Sequence, residues 1–149
     1  MERTFVAIKP DAVQRGLIGE IIQRFENKGF KIIGLKMMLL DIGTAEKHYA
    51  EHKGKPFFEG LVEFITSGPI VAIVVEGANA VKIVRKMMGA TNPQESDFGT
   101  IRADFAQIMG KNIIHGSDSL ESAKREIAIF FEESELILDW NRDIDKWII

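Results

Sequence analysis

Short runs of β-branched and aromatic residues alternate with helical segments along this chain, and this alternation limits the possible folds more than any other feature. The runs predict strands at residues 4–9, 30–40, 70–76 and 112–115. Apolar residues at helical spacing predict helices at residues 17–28, at 80–88 and from 120 onward, with two more between 44 and 66. The resulting order, β-α-β-(αα)-β-α-β-α, favours an α+β sandwich in which helices pack against a small antiparallel sheet.

Residues with special backbone or capping properties mark the predicted ends of the helices. Gly29 and Gly89 can adopt the left-handed conformation that commonly follows a helix. Pro56 suits the first turn of the second middle helix, directly after a break in the helical pattern. Ser117, Asp118 and Ser119 offer capping oxygens before the last helix, and Asp118 with Glu121 three residues later resembles a capping box.

Length and composition set limits on function. The chain has 149 residues, enough for one domain with a single core, and we expect that domain to span residues 1–149. There are 19 basic and 22 acidic side chains, so the net charge of −3 predicts no specific nucleic-acid partner. Because the chain has no cysteine, disulfides, thiolate nucleophiles and cysteine zinc sites are excluded.

The sequence also predicts the cellular location. The longest uninterrupted apolar run, residues 70–75, is far shorter than the roughly 20 residues that a membrane span requires. The apolar stretch near the amino end is too short for the core of a signal peptide, and Lys9, Pro10 and Asp11 end it. We therefore expect a soluble cytoplasmic protein without membrane contact.

His115 lies at the end of the last predicted strand, directly before a helix, in a setting that suits chemistry. Gly116 would let another molecule approach closely, and the start of the following helix favours negative charge. The predicted apolar stripe of that helix consists of Leu120, Ala123, Ile127 and Phe130. Glu126 lies at the edge of this stripe, where it could accept the proton of one imidazole nitrogen and leave the other free to attack. The alternative is that Glu126 pairs with Lys124 or Arg125 on a solvated face.

A second histidine pattern allows a different interpretation. The segment His-Tyr-Ala-Glu-His at residues 48–52 matches H-x-x-E-H, a motif of some zinc peptidases. On a helix, His48 and His52 would share a face and could bind zinc, with a third ligand from elsewhere; His115 is the only other histidine. A zinc hydrolase is therefore one hypothesis, and a helix with both histidines facing solvent is the other.

Phosphate-binding backbone loops are absent from the sequence, since neither G-x-x-x-x-G-K-[ST] nor G-x-G-x-x-G occurs. A chain of this sequence that handles phosphates must therefore use side chains. The candidates are Lys9, Arg85, Thr91 and Arg102. Each of them, taken alone, is more simply interpreted as an ordinary surface residue.

The segment Asn-Ile-Ile-His-Gly-Ser-Asp-Ser at residues 112–119 resembles the active-site signature of the nucleoside diphosphate kinase family. Further blocks resemble that family in the same order: Thr-Phe-Val-Ala-Ile-Lys-Pro-Asp (4–11), Arg-Phe (24–25), Lys-Gly-Phe (28–30), His-Tyr (48–49), Pro-Phe-Phe (56–58), Ser-Gly-Pro (67–69), Thr-Asn-Pro (91–93) and Gly-Thr-Ile-Arg (99–102). The chain departs from the commonest form at Ala12 and Ala103, where glycine is frequent, and at Met109, where valine is usual. The resemblance extends from residue 4 to residue 131.

The resemblance implies a ferredoxin-like α+β fold and an enzyme, a nucleoside diphosphate kinase. In such an enzyme the terminal phosphoryl group passes reversibly from a nucleoside triphosphate to a nucleoside diphosphate, through a phosphohistidine that corresponds to His115. By the same resemblance, Glu126 orients His115 and Ser117 supports the Glu126 carboxylate. The rival hypothesis is a non-catalytic nucleotide-binding or regulatory module with the same fold.

The resemblance also implies the contacts of the nucleotide and its partners. Residues implied to contact the phosphates are Lys9, Arg85, Thr91 and Arg102. Lys9 and Asn112 would also reach the sugar hydroxyls, and Tyr49 would help to hold Lys9. Residues implied to surround the base are Phe57, which would stack on it, Leu61 and Met109. Mg²⁺ would be bound mainly through the nucleotide phosphates rather than by a protein metal site. The assembly would be a homo-oligomer, a hexamer rather than a tetramer, with residues 134–149 in subunit contacts.

Overall fold

The computed structural model describes residues 1–149. The strands are β1 (Glu2–Ile8), β2 (Lys31–Met38), β3 (Ile70–Gly77) and β4 (Ile114–Gly116). The helices are α1 (Pro10–Gln14), α2 (Ile18–Lys28), α3 (Ile42–His48), α4 (Phe58–Ile65), α5 (Ala80–Met88), α6 (Ile101–Phe105) and α7 (Leu120–Phe130). Single-turn 3₁₀ helices lie at Ala50–His52, Pro93–Glu95, Met109–Lys111, Glu133–Glu135 and Asp145–Trp147. None of the helices has both the length and the apolar character needed to cross a membrane.

The four strands form one sheet in the order β2-β3-β1-β4, with every neighbouring pair antiparallel. This confirms the predicted α+β class and the ferredoxin-like arrangement of a small antiparallel sheet under helices. β4 lies at an edge, where His115 pairs with Ala7 of the central strand β1. Because β1 ends one residue before Lys9, the register brings Lys9 and His115 to the same end of the sheet.

Helices cover both faces of the sheet and bury a separate apolar core on each. Side chains alternate along a strand, so β1 sends Val6 and Ile8 to one face and Phe5 and Ala7 to the other. The first core includes residues of α1, α2, α5 and α6, and the second includes residues of α3, α4 and α7. β1 and β3 are therefore apolar on both faces, as their continuous apolar runs predict.

Two helices, α1 and α6, are absent from the sequence prediction. Each has five residues, too few for an apolar period to be recognised. Pro10, which ends the predicted strand, is also the first residue of α1, where its fixed φ suits a helix start. The predicted place of Pro56 inside a helix is wrong, because a turn closed by the Phe58 N–H and the Lys55 carbonyl precedes α4.

The start of α7 also differs from the prediction. Its N-cap is Ser119, whose hydroxyl accepts a hydrogen bond from the Ser122 N–H at 3.0 Å, and not Asp118. Leu120 is exposed rather than part of the apolar stripe, while Ala123 and Phe130 are buried as predicted. Leu120 is the first helical residue and extends beyond the part of the helix that packs on the core.

Candidate active site

The ends of β1 and β4, together with α5 and the adjoining loops, enclose a polar cleft of about 230 Å³. The predicted site residues that line it are Lys9, Tyr49, Arg85, Thr91, Arg102, Asn112, His115 and Glu126. Ser117 is completely buried directly behind them. The fold thus brings together residues from both ends of the chain, because β1 and β4 are neighbours in the sheet.

A strained backbone position fixes the segment that carries His115. Ile113 is fully buried and has a φ of 64°, in the left-handed region that a β-branched residue avoids at a cost of about 1–2 kcal/mol. Its N–H donates to Asp11 Oδ2 at 3.0 Å, and its carbonyl accepts from the Lys9 N–H at 2.9 Å. These two bonds to the β1–α1 junction hold the strained turn between Asn112 and His115 in place.

The His115 ring is oriented by Glu126. His115 Nε2 lies 2.9 Å from Glu126 Oε1, and the Ser117 hydroxyl donates to the same oxygen at 2.6 Å. An ionised carboxylate only accepts hydrogen bonds, so Nε2 carries the ring proton and the lone pair is on Nδ1. The side chain of His115 is 22% exposed, which leaves the ring accessible from the cleft.

Glu126 is buried, with 4% of its surface exposed, so the hypothesis of a carboxylate on a solvated face is wrong. Burial alone would raise the pKa of Glu126, but the hydrogen bond and charge of His115, with the Ser117 hydroxyl, lower it overall. Arg125 Nη2 is 3.6 Å from Glu126 Oε2, inside the cleft. The carboxylate is therefore held in its ionised form, as an acceptor for His115.

Arg102 is a buried cation at the base of the cleft, only 3% exposed. Its guanidinium donates to the carbonyls of Ile114 at 2.7 Å, Gly89 at 3.2 Å and Asn112 at 3.3 Å. Burial, with a smaller effect from the charge of Arg85, lowers the pKa of Arg102 to about 10, so it stays charged at neutral pH. Arg102 therefore both joins three backbone segments and places positive charge beside His115.

Lys9 is fixed in the cleft by Asn112. Its Nζ donates to Asn112 Oδ1 at 2.8 Å, and Asn112 Nδ2 donates to the Thr91 carbonyl at 3.0 Å. Asn112 therefore accepts the hydrogen bond that holds the Lys9 ammonium, while the Tyr49 ring packs against the ring of His48. Burial, together with the charge of Arg102, lowers the pKa of Lys9 to about 8.

His48 and His52 do not form the arrangement that the H-x-x-E-H motif predicts. Helix α3 ends at His48 and His52 lies in the following 3₁₀ turn, so the shared helix face is lost. His48 does not face solvent either, because it is buried with its ring centroid 4.6 Å from that of His115. Burial, and then the charge of His115, lower the pKa of His48 to about 3, so this ring is neutral.

The residues implied to surround the base lie outside the enclosed cleft. Phe57 and Met109 are more than half exposed, and Leu61 is partly buried against the core of the second face. The Phe57 ring centroid is 5.3 Å from that of His52, which lines the cleft, so Phe57 lies near its mouth. Phe57 therefore presents an exposed aromatic ring near the mouth of the cleft.

Gly116 has a packing function that the sequence did not predict. It is buried, and a Cβ at this position would collide with the Met88 sulfur of α5. The close approach that this glycine permits is therefore between α5 and β4, not between the protein and another molecule. Arg85, on the same helix, is placed by this contact and donates to the Gly116 carbonyl at 3.2 Å.

Two further charged residues of the cleft, Asp118 and Arg125, were not predicted as site residues from the sequence. Asp118 was interpreted as a cap but lines the cleft, and a hydrogen bond with Ser122, followed by the charge of Arg85, lowers its pKa. The sequence offers Arg125 only as an alternative partner of Glu126 on a solvated face, yet Arg125 also bonds Glu51 at 3.2 Å across the cleft mouth. Their closeness in sequence to His115 and Glu126 was the available signal.

The fold and the cleft together define a class of protein: an α+β sandwich with one oriented imidazole facing a set of fixed cations, suited to the handling of anionic groups. Within that class, the sequence model of "Nucleoside diphosphate kinase" matches residues 2–136. The chain belongs to the nucleoside diphosphate kinase family, whose members are phosphotransfer enzymes.

Known relatives are similar over their whole length. The nucleoside diphosphate kinase of Desulforamulus reducens is 64% identical over 148 residues, which cover 99% of each chain. The structure of the halophilic nucleoside diphosphate kinase from Halobacterium salinarum in complex with CDP is 55% identical, with a TM-score of 0.96, and the match covers 99% of this chain and 98% of that one. The structure of a nucleoside diphosphate kinase family protein from Babesia bovis is 48% identical, with a TM-score of 0.97 over 100% of both chains.

Proposed function

We propose that this enzyme carries the phosphoryl group on Nδ1 of His115 in a reversible ping-pong reaction between nucleoside triphosphates and diphosphates. The observation that carries this proposal is the hydrogen bond from Nε2 to Glu126, because it leaves the lone pair of Nδ1 available for attack. A phosphoramidate on imidazole retains a high transfer potential, whereas a serine phosphate ester is too stable to pass its group on readily. Histidine therefore suits a reversible relay.

The cations of the cleft provide the electrostatic part of this mechanism. Charge in phosphoryl transfer is spread over the equatorial oxygens of the moving group. Lys9, Arg85 and Arg102 supply positive charge, and the Thr91 hydroxyl supplies a further donor. Hydrogen bonds to protein atoms already hold all three cations, so little reorganisation is needed when the nucleotide binds.

We assign the nucleoside to the mouth of the cleft. Lys9 and Asn112 would contact the sugar hydroxyls, and Phe57 would stack on the base near Leu61, with Met109 on the other side. Every nucleobase has a π face, so stacking on Phe57 accepts all of them. The half-exposed ring of Phe57 and the CDP in the Halobacterium salinarum relative support this assignment.

The donor set of the cleft fits Mg²⁺ that is bound mainly to the nucleotide. Mg²⁺ prefers oxygen ligands and retains several waters. Of the cleft carboxylates, Glu126 is bonded to His115 and Glu51 to Arg125, which leaves Asp118 as the protein oxygen donor for such an ion. When bound, Mg²⁺ would neutralise charge on the phosphate oxygens.

Incubation of the enzyme with γ-labelled ATP tests the proposed function. We expect a covalent label that is labile in acid and stable in base, because a phosphoramidate hydrolyses in acid. Addition of any nucleoside diphosphate should remove the label, since the return transfer needs only stacking at the base. A label that is stable in acid would contradict the proposal. So would a label that only one of the nucleoside diphosphates removes.

The Glu126→Ala variant should form the phosphoenzyme about 10²-fold more slowly than the wild type, without losing the reaction. The variant loses the acceptor that orients His115, but Lys9 and the arginines still position the phosphate. Rapid-quench labelling measures the rate. Glu121→Ala, at an exposed position of the same helix, is the matched control. An unchanged rate in Glu126→Ala would remove the assigned role.

We also expect nucleotide use to decline as the pH rises through 8. Lys9, with its pKa lowered to about 8, passes from about nine tenths protonated at pH 7 to about one tenth at pH 9. Nucleotide use falls rather than rises with pH because only the protonated amine of Lys9 attracts phosphate. The profile of kcat/KM, which reports the free enzyme, should fall up to about tenfold across this interval. In Lys9→Arg, whose guanidinium stays charged, that step should vanish; if it persists, another group titrates.

We further propose that residues 1–149 form one cytoplasmic domain that assembles as a homo-oligomer, a hexamer rather than a tetramer. Both apolar cores share the same sheet, which supports a single domain. β2 is an edge strand whose Leu35 and Met37 are more than half exposed, and burial of such residues against a second copy is favourable. Family membership supports the hexamer. Sedimentation equilibrium measures the mass of the assembly and so gives the number of chains in it.

A further inference from the structure

His48 is a buried histidine that the proposed phosphate transfer does not use. Its side chain is 1% exposed, and both ring nitrogens lack a hydrogen-bond partner. The rings of Phe5, Tyr49 and Phe130 pack around it. A buried polar group left without a hydrogen-bond partner destabilises the protein, so a ligand that engages one of these nitrogens would recover part of that cost.

Two potential metal ligands lie beside His48. Its Nδ1 is 3.9 Å from Glu126 Oε2, and Glu126 Oε1 is 2.9 Å from His115 Nε2. The candidate ligand atoms of the three residues all lie within 4.8 Å of one another. Zinc bonds of about 2.0–2.2 Å place tetrahedral ligands roughly 3.4 Å apart, so modest side-chain rotations close the site.

The chemistry of this cluster selects among metal ions. Two imidazoles and one carboxylate form a three-ligand zinc set, with a fourth position open to water. Arg125, 3.6 Å from Glu126 Oε2, disfavours hard ions that are held by charge alone. An ion that binds nitrogen strongly is therefore favoured over Mg²⁺.

We infer that His48, His115 and Glu126 form an inhibitory Zn²⁺ site. Zinc on Nε2 of His115 takes the place of the ring proton, which moves to Nδ1. The nitrogen that accepts phosphate then becomes an N–H donor without a lone pair, and the hydrogen bond to Glu126 is lost. The inhibition rests on the proposed role of His115, whereas the binding of zinc does not.

Zinc binding is measured on the full chain in nucleotide-free buffer, by equilibrium dialysis with Zn²⁺ and by absorption spectroscopy with Co²⁺. We expect one Zn²⁺ per chain and the intense visible bands of tetrahedral Co²⁺. His48→Phe fits the aromatic surroundings and removes one ligand, so it should weaken zinc binding by at least about 100-fold. His52→Asn should bind zinc as the wild type does, because His52 is not in the cluster.

Labelling of the metal-free enzyme with γ-labelled ATP separates this inference from the proposed function. Without zinc, the wild type should label; after equilibration with one equivalent of Zn²⁺ the label should fall at least tenfold, and a chelator should restore it. Undiminished labelling of the zinc-bound wild type would overturn the inference. Three other results would also overturn the inference. These are equal zinc affinity of His48→Phe and the wild type, Co²⁺ bands typical of octahedral coordination, and loss of zinc binding in His52→Asn. Failure to label without zinc would instead count against the role of His115.

Discussion

Replacement of His115 by alanine should abolish the phosphoenzyme and lower kcat by roughly 10⁴-fold or more. The variant loses the imidazole whose Nδ1 is left free by the hydrogen bond between Nε2 and Glu126, and the neighbouring His48 is buried with its ring packed among aromatic side chains. Nucleotide binding should persist, because Lys9 and Arg102 are held by residues other than His115. Labelling with γ-labelled ATP and calorimetric binding of a diphosphate measure the two effects separately.

His52→Ala is the matched control, since it removes a histidine at the mouth of the same cleft. We expect this variant to label normally. Full labelling of His115→Ala would end the proposed mechanism, and a wild type that binds nucleotides without labelling would favour the non-catalytic module. Normal turnover by His52→Ala would contradict the zinc hydrolase hypothesis, because that hypothesis requires His52 as a zinc ligand.

Replacement of Arg102 by methionine should destabilise the protein by about 3–5 kcal/mol and also impair catalysis. The guanidinium donates to three backbone carbonyls in and around the base of the cleft. The Asn112 carbonyl also accepts from the Ile114 N–H at 2.8 Å, so the loss falls mainly on the carbonyls of Ile114 and Gly89, at about 1–3 kcal/mol for each acceptor left buried without a donor. Against a total stability of about 5–15 kcal/mol, this is a large fraction. Urea unfolding followed by tryptophan fluorescence measures the loss.

Arg102→Lys separates the two functions of this residue. Lysine keeps the positive charge but cannot reach three carbonyls with one ammonium group, so nucleotide affinity should recover more than stability does. If Arg102→Met unfolds at the same urea concentration as the wild type, the three hydrogen bonds contribute no net stability. If Arg102→Lys is as stable as the wild type, the geometry of the guanidinium is unimportant.

The sequence predicted those features of the fold that depend on local pattern. Strand β3 is apolar on both faces and bounded by Ser67, Gly68 and Pro69, so its start was predicted correctly at Ile70. Helix α5 ends at Met88, directly before Gly89, as predicted, because the positive φ of Gly89 suits glycine. Helices α1 and α6 were missed, since five residues contain too little periodic information.

His115 and Glu126 were predicted as a pair because both lie within one strand–helix segment of the chain, whereas the distant cations were only candidates until the family resemblance implied that they contact phosphate. What only the tertiary structure decided is how these groups act on one another. No local pattern predicts that β1 and β4 pair, that Ile113 is strained between Asp11 and Lys9, or that His48 lies buried against His115. These contacts join residues distant in sequence, and the burial and charge that they create shift the pKa values of Lys9 and His48. Local sequence determines propensity, whereas the packing of distant segments determines the environment in which each side chain reacts.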